Sequence, residues 1–337
     1  MKGLVKSMEN ARSAKIAGVG SYTPDKVVTN RDLEDKVDTS DEWITKRTGI
    51  KERRIAADDV TASDLATKAT KAALKDADLQ AQDLDLILVA TSTPDHLGFP
   101  STACILQDKL GITDTPAFDL AAACTGFIYG ISTATQYIET AAYDNILVVG
   151  TEVFSKIIDW EDRNTCVLFG DGAGAAVLTP GTEGGILANH LGADGSRSEV
   201  LEIPGGGSQD PFSQAVLDDR DHYVRMDGKP VFKFAVKILG TAALESLGQV
   251  GLDKDDIDYL IPHQANSRII DAAAKRLDLN EDQIYVNLDK YGNTSAASIP
   301  LALAEAVQDN EIKRGDIVVL VGFGAGLTWG ATVIEWT

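Results

Sequence analysis

Cysteine is scarce: Cys104, Cys124 and Cys166 are the only three in a chain of 337 residues. An odd count with no CxxC pair makes neither a disulfide framework nor paired metal knuckles, and it fits a reducing compartment. Long apolar runs are also missing. The longest, such as IVVLVGFGAGL (317–327), are too short and too broken by glycine to span a bilayer. The N-terminus lacks an apolar signal with a cleavage site, so the expectation is a soluble, cytoplasmic protein with no membrane partner. Positive charge is in deficit, with 31 Lys and Arg against 51 Asp and Glu and a formal net charge of −20. Such a chain repels nucleic acid and anionic membranes at long range. An acidic partner therefore requires cations gathered locally.

Two nucleotide signatures are absent as well. No GxxxxGK[ST] occurs, which excludes a P-loop. In VLFGDGAGAAVLTP (167–180) the glycines run into strand-like sequence rather than a helix, which argues against a nicotinamide fingerprint. Asp218, Asp219, Asp221 and His222 lack calcium-loop spacing and read as a solvated run within the turn-rich segment 205–230. Neither a metal nor a bound cofactor is expected.

What is present is enough apolar material, 44% of residues, to bury a large core in two domain-sized halves. The halves echo one another. Asp83-Leu-Asp-Leu-Ile matches Asp256-Ile-Asp-Tyr-Leu, and DNILVVG (144–150) matches DIVVLVG (316–322), both offset by about half the chain. Apolar periodicity predicts helices near 62–77, 125–140, 231–248, 266–276 and 294–309. Strands are predicted near 84–91, 116–120, 145–150, 257–262, 283–287 and 317–322. This alternation predicts an α/β fold of mainly parallel sheets, with two layered halves stacked around shared central helices.

Within FDLAAACTGFIYG (118–130), a strand runs into a small-residue turn and a helix starts at or just after Cys124. A thiol there sits at the positive end of a helix dipole, which favours thiolate. A small buried residue is the other reading of the same stretch. Cys104, in an amphipathic helix, and Cys166, in a strand, read as small core residues. Among four histidines, His263 stands at the end of a buried strand where a helix begins, a place where α/β folds collect functional side chains. Asn293, in YGNTSAAS, opens a helix and reads either as an N-cap or as a functional amide. His96, His190 and His222 are assigned no chemistry.

AAACTGF, FGDGAGAAVL, PHQANSRI and YGNTSAASIP, with TSDEWITKRTGIKERRIA (39–56), occur in an order and spacing that closely resemble the β-ketoacyl-[acyl-carrier-protein] synthase III family. These are initiating condensing enzymes of bacterial fatty-acid synthesis. The resemblance covers about residues 14–337. It implies a thiolase-like fold, duplicated α/β halves in a five-layer αβαβα arrangement, and a homodimer. The boundaries expected are an extension at 1–13, a first half at 14–180, a connecting strand and surface excursion at 181–229, and a second half at 230–337.

The same resemblance implies roles for individual residues. Cys124 takes an acyl group from acyl-CoA, which is a substrate and not a cofactor. His263 and Asn293 donate hydrogen bonds to the enolate left when malonyl on acyl carrier protein loses CO₂. The backbone of Cys124 and Ala325 forms the oxyanion hole. CoA contacts fall to Trp43, Arg47, Arg163 and Asn266, with core packing the other reading of Trp43 and a surface ion pair that of Arg163. Phe169 closes the acyl pocket and Phe99 reaches into the partner subunit's pocket. Acyl carrier protein is expected at Gln264, Ala265, Asn266, Ser267, Arg268, Lys233, Lys275 and Arg276. Lys229, Lys233 and Lys237 make one stripe at helical spacing, and Arg268, Lys275 and Arg276 another; either alone also reads as a solvated face.

Asn164 and Ala325 stand where the family often has glycine, and 205–222 looks long. Alternatives to the priming condensation are a secondary-metabolite relative that condenses or transfers other acyl groups, and a silent scaffold that binds carrier protein. Intact Cys124, His263 and Asn293 speak against the scaffold. Primer length is not fixed by the sequence, because a methylene in an apolar pocket is worth only about 1–3 kcal/mol.

Overall fold

The structure is a computed structural model and describes residues 12–337. The expected extension at 1–13 lies almost wholly outside the described residues, and Ser13 already opens the first strand. The first half runs β1 (Ser13–Tyr22), β2 (Val27–Thr29), α1 (Asn30–Glu34), α2 (Asp41–Thr48), β3 (Glu52–Arg54), α3 (Ala62–Asp76), β4 (Leu86–Ala90), α4 (Thr102–Lys109), β5 (Ala117–Leu120), α5 (Gly126–Glu139), β6 (Ile146–Val153) and β7 (Asp171–Gly181). The second runs β8 (Gly185–Ala193), β9 (Leu201–Glu202), α6 (Gln214–Asp218), β10 (Arg225–Met226), α7 (Gly228–Gly248), β11 (Tyr259–Pro262), α8 (Ser267–Leu277), α9 (Leu288–Tyr291), α10 (Ser298–Gln308), β12 (Ile317–Gly324) and β13 (Thr328–Glu335).

The two main sheets share one plan. The first has the order β1-β7-β6-β4-β5 and the second β8-β13-β12-β11, with Ile284 bridging Leu260 of β11 where a fifth strand would lie. The strand expected at 283–287 is thus reduced to a bridge. The reason is local: the Gln264 side-chain amide donates to Tyr285 O at 3.2 Å and accepts from Asn287 N at 3.0 Å, so a side chain takes the place of a neighbouring strand. The expectation of mainly parallel sheets is also corrected. Pairing is parallel along β6-β4-β5 and at β11-β12, and antiparallel elsewhere, because β7 and β13 run in reverse: each is antiparallel to both of its neighbours, while β1 keeps the direction of β6 and β8 that of β12. β8 belongs to the second sheet, so that half begins inside the segment expected to connect the two.

Alternation along β4 explains the layers. Leu86 and Leu88 face α5 and α10, which lie between the sheets, while Ile87 and Val89 face α3 and α4 on the outside. α7 and α8 cover the outer face of the second sheet. The result is the five-layer αβαβα arrangement. Both faces of each sheet are buried, which is why the strands read as continuous apolar runs. Among the described residues no helix is long and apolar enough to cross a membrane.

Two cysteine expectations change. Cys104 is on α4 as expected but exposed, because Thr102, Ala103 and Leu106 form that helix's inner face. Cys166 is buried as expected, in a turn between β6 and β7 rather than in a strand.

Candidate active site

The site forms at the seam of the halves. From the first half, β5 ends at Leu120, the chain turns through Ala123 at φ 47°, and Cys124 sits in a single 3-10 turn that leads into α5. From the second half, His263 directly follows β11, and Asn293 lies between α9 and α10. All three line one cavity of about 860 Å³. The end of β12 presses on the nucleophile: a Cβ on Gly324 would lie 2.7 Å from Cys124 N, so only glycine fits there. The hydroxyls of Thr125 and Thr328 lie 2.8 Å apart and both reach the Ala122 carbonyl, at 2.7 and 3.2 Å. The turn carrying Cys124 is thereby tied to the turn carrying Ala325.

The dipole argument for a resting thiolate needs correction. Cys124 is 7% exposed, and burial, with the nearby Glu152 charge adding to it, pushes its thiol up to about 12. Desolvation outweighs the helix end, so the resting group is a thiol. Burial acts on His263 in the opposite sense, holding it down at about 3 and therefore neutral across the physiological range. Its Nδ1 side is engaged by a hydroxyl. Ser298 Oγ lies 2.6 Å from His263 Nδ1 and accepts the Gln264 backbone N–H at 3.4 Å. The hydroxyl keeps its own proton free for Nδ1, an arrangement in which the imidazole N–H stands on Nε2 and faces the cavity chemistry. Phe323 meets the ring edge-on at 5.5 Å between centroids.

Asn293 is oriented with equal economy. Its Oδ1 accepts Ser295 N at 2.9 Å, which leaves the NH₂ end as the donor. Its backbone is pinned to the first half through Gly170 N donating to Asn293 O at 3.1 Å and Asn293 N donating to Leu168 O at 2.8 Å. The cavity thus holds a thiol and the donor groups of two neutral side chains, which suits chemistry in which charge develops on an oxygen.

Trp43, Arg47, Asn266, Phe169, Ala325, Ala265, Arg268 and Lys233 all line the same cavity. Arg47 and Arg163 each stack on the Trp43 ring, at 5.1 and 4.5 Å, and Arg163 also pairs with Asp38 at 3.4 Å. Asn266 caps α8 through Arg268 N and donates to Arg47 O at 3.0 Å, tying α8 to α2 at the mouth. Phe169 is buried and stacked on Phe154. Phe99 lies outside the cavity and is 88% exposed. Lys229, Lys233 and Lys237 on α7, and Arg268, Lys275 and Arg276 on α8, are exposed; Ser267 is half-buried between them. Gln264 is corrected: at 1% exposure, with its amide spent on Pro262 O and the 285–287 backbone, its side chain cannot meet a docking protein.

Sequence reading missed Glu152, Ser295 and Ser298. A lone acid inside the apolar run ILVVGTEVF was the signal for the first. The serines were hidden in a run that reads as helix start. Among the described residues no group of three or more His, Cys, Asp or Glu could hold a metal.

Two family models match the chain: 3-oxoacyl-[acyl-carrier-protein] synthase III over residues 118–195, and the C-terminal part of the same family over residues 247–336. A beta-ketoacyl-[acyl-carrier-protein] synthase III of Caldanaerobacter subterraneus subsp. tengcongensis is 58% identical over 326 residues, 96% of this chain and 98% of the relative. One of Desulfitobacterium hafniense is 55% identical over the same shares. The crystal structure of 3-oxoacyl-[acyl-carrier-protein] synthase III from Aquifex aeolicus superposes with a TM-score of 0.89 at 47% identity, covering 96% of this chain and all of that one.

Proposed function

Because the chain belongs to the β-ketoacyl-[acyl-carrier-protein] synthase III family, we infer that it condenses an acyl-CoA primer, acetyl-CoA, with malonyl-[acyl-carrier protein], releasing CoA and CO₂ and starting fatty-acid synthesis. The observation that carries this reading is the convergence of Cys124, His263 and Asn293 in one cavity. Cys124 Sγ attacks the primer thioester, and one thioester replaces another with little change in free energy. Malonyl then loses CO₂ beside His263 Nε2–H and the Asn293 NH₂, which hold the enolate oxygen. The enolate carbon attacks acyl-Cys124, whose carbonyl oxygen sits against the backbone N–H groups of Cys124 and Ala325. Imidazolium at His263 would hand the enolate a proton and quench it, so the neutral state set by burial suits this role.

Trp43 stacks the CoA adenine while Arg47 and Arg163 turn from its ring to the phosphates, and Asn266 holds the rim. The cations on α7 and α8 gather positive charge on an acidic surface and receive the acidic carrier protein. Lys233→Glu is expected to raise KM for malonyl-carrier while leaving acylation by acetyl-CoA unchanged; equal effects on both would remove docking as its role. The enzyme is a cytoplasmic homodimer in this reading. Support comes from the exposed pair Leu97 and Phe99, at 69% and 88%, and from β5, a sheet edge with no further partner strand among the described residues. Sedimentation of Phe99→Asp is the check, with a lighter species expected.

Incubation with acetyl-CoA, followed by peptide mass mapping, is expected to place one acetyl group on Cys124, discharged on adding malonyl-carrier. A stable label elsewhere, or none, would sink the assignment.

A further inference from the structure

Glu152 has no part in the chemistry above, yet it stands beside the nucleophile. Its side chain is fully buried near the end of β6, inside the first sheet. The groups that bond to it are donors. Ser92 N lies 3.1 Å from each oxygen, Thr93 Oγ1 at 2.7 Å and Thr91 Oγ1 at 3.4 Å, all from the segment after β4. Ala296 N and the Ser295 hydroxyl approach from the turn before α10. On β7 its cross-strand neighbour is Gly172, and the adjacent Asp171 is turned to Ala56 N and Ser155. Among the described residues no lysine or arginine forms an ion pair with it, and Cys124 is a titratable group that feels its charge. Burial has pushed its carboxyl up to about 7.

Ser295 completes a path. Its Oγ is buried with no hydrogen-bond partner among the described residues, and its turn packs against both the turn that carries Cys124 and β6, which carries Glu152, so the hydroxyl can serve the anion of either. The residue is held at φ 49°, a left-handed conformation that is strained for a side chain of this kind. Charge conservation gives the path its use. If the Cys124 proton left for solvent, two anions would lie together in a dry pocket. If it moves to Glu152, one negative charge changes place and the buried total stays the same.

We propose that Glu152 accepts the Cys124 thiol proton through the Ser295 hydroxyl as the acyl group arrives, and returns it to the departing CoA thiolate. The Sγ–H bond breaks and its proton joins Ser295 Oγ, while the Ser295 hydroxyl proton passes to the carboxylate and Sγ bonds to the thioester carbon. When the tetrahedral adduct collapses, the bond to the CoA sulfur breaks and the proton returns by the reverse sequence to that sulfur. A thiol and a thioester give a thiol and a thioester, with nothing else consumed. Glu152 acts only through Ser295. The proposal rests on Cys124 being the acyl acceptor.

The test is rapid-quench acetylation of Cys124 by acetyl-CoA, read by intact mass between about pH 5.5 and about pH 9. Only the carboxylate can take a proton, so the unaltered rate should rise with pH through about 7. Glu152→Gln should acylate on the order of 100-fold more slowly and lose that inflection. Ser295→Ala removes no hydrogen bond from the resting fold, so it keeps its melting temperature, and it should slow acylation similarly. A wild-type rate and inflection in either folded variant overturns the relay. Failure of Cys124 to label in the unaltered protein overturns the acyl-acceptor reading instead.

Discussion

Asn293→Ala is expected to acylate Cys124 normally while its decarboxylation of malonyl-carrier falls roughly 10²–10³-fold, the usual cost of losing one donor to a developing oxyanion. The split follows from the geometry. The NH₂ of Asn293 is the end left unspent, because its Oδ1 is engaged by Ser295 N. Acylation takes place at Sγ, which has no need of that donor. Asn293→Asp separates chemistry from architecture. It retains an oxygen for Ser295 N, so the turn keeps its shape, but it offers no donor and adds a negative charge beside the enolate. Condensation should fall at least as far as in the alanine variant. Acylation and decarboxylation rates measured on both variants check this, and parallel losses in the two half-reactions would mean that Asn293 merely holds the turn.

The second large effect is on stability. Arg53 is 0% exposed; its Nη1 donates to Val28 O at 3.1 Å and Asn30 Oδ1 at 3.0 Å, and its Nη2 to Val167 O at 2.8 Å. Burial draws even this guanidinium down to about 10. Its Cβ would lie 3.1 Å from one on Gly170 and 3.4 Å from one on Gly292, so it packs against the seam where the Asn293 segment joins the first half. Arg53→Ala orphans three buried acceptors at about 1–3 kcal/mol each, and some water entry offsets part of this, leaving a net loss of about 3–5 kcal/mol. For a chain of 337 residues that corresponds to a melting temperature lower by roughly 4–7 °C. Differential scanning calorimetry is the check; an unchanged transition would mean that water replaces the guanidinium without loss.

Arg53 also marks where the sequence stops being legible. In KERRIAADD it looks like surface charge, and nothing local says that its partners lie at 28, 30 and 167. β1 was missed because Gly18 and Gly20 break its strand pattern. They are there because α3 crosses so closely that a Cβ on Gly18 would lie 2.4 Å from Ala77 N. The helices and the doubly buried strands were readable, since 3.6-residue periodicity and unbroken apolar runs arise from burial itself. Cys124, His263 and Asn293 were singled out by standing at element ends, and their conjunction came from motif resemblance, because residues so far apart are joined only by the fold. Glu152 carries a sequence signal, a lone acid within ILVVGTEVF, but nothing local says that it meets Cys124 and Ser295 across the fold. Gln264 sat inside a quoted motif, and only the fold shows its amide closing a sheet edge.

The halves leave one more mark on the site. Ala123 and Ser295, the two strained residues flanking the cavity, are 172 positions apart, and so are the starts of α5 and α10 at Gly126 and Ser298. Ala123 and Ser295 each open a single 3-10 turn that leads into a central helix. The cavity is therefore faced by two equivalent elbows, and two central helices direct their positive ends toward it. Thiolate, tetrahedral oxyanion and enolate arise at different moments on different atoms, yet each falls within the same paired field. One electrostatic basin, made twice over by duplication, can serve every anion in the cycle while the side chains around it divide the remaining labour.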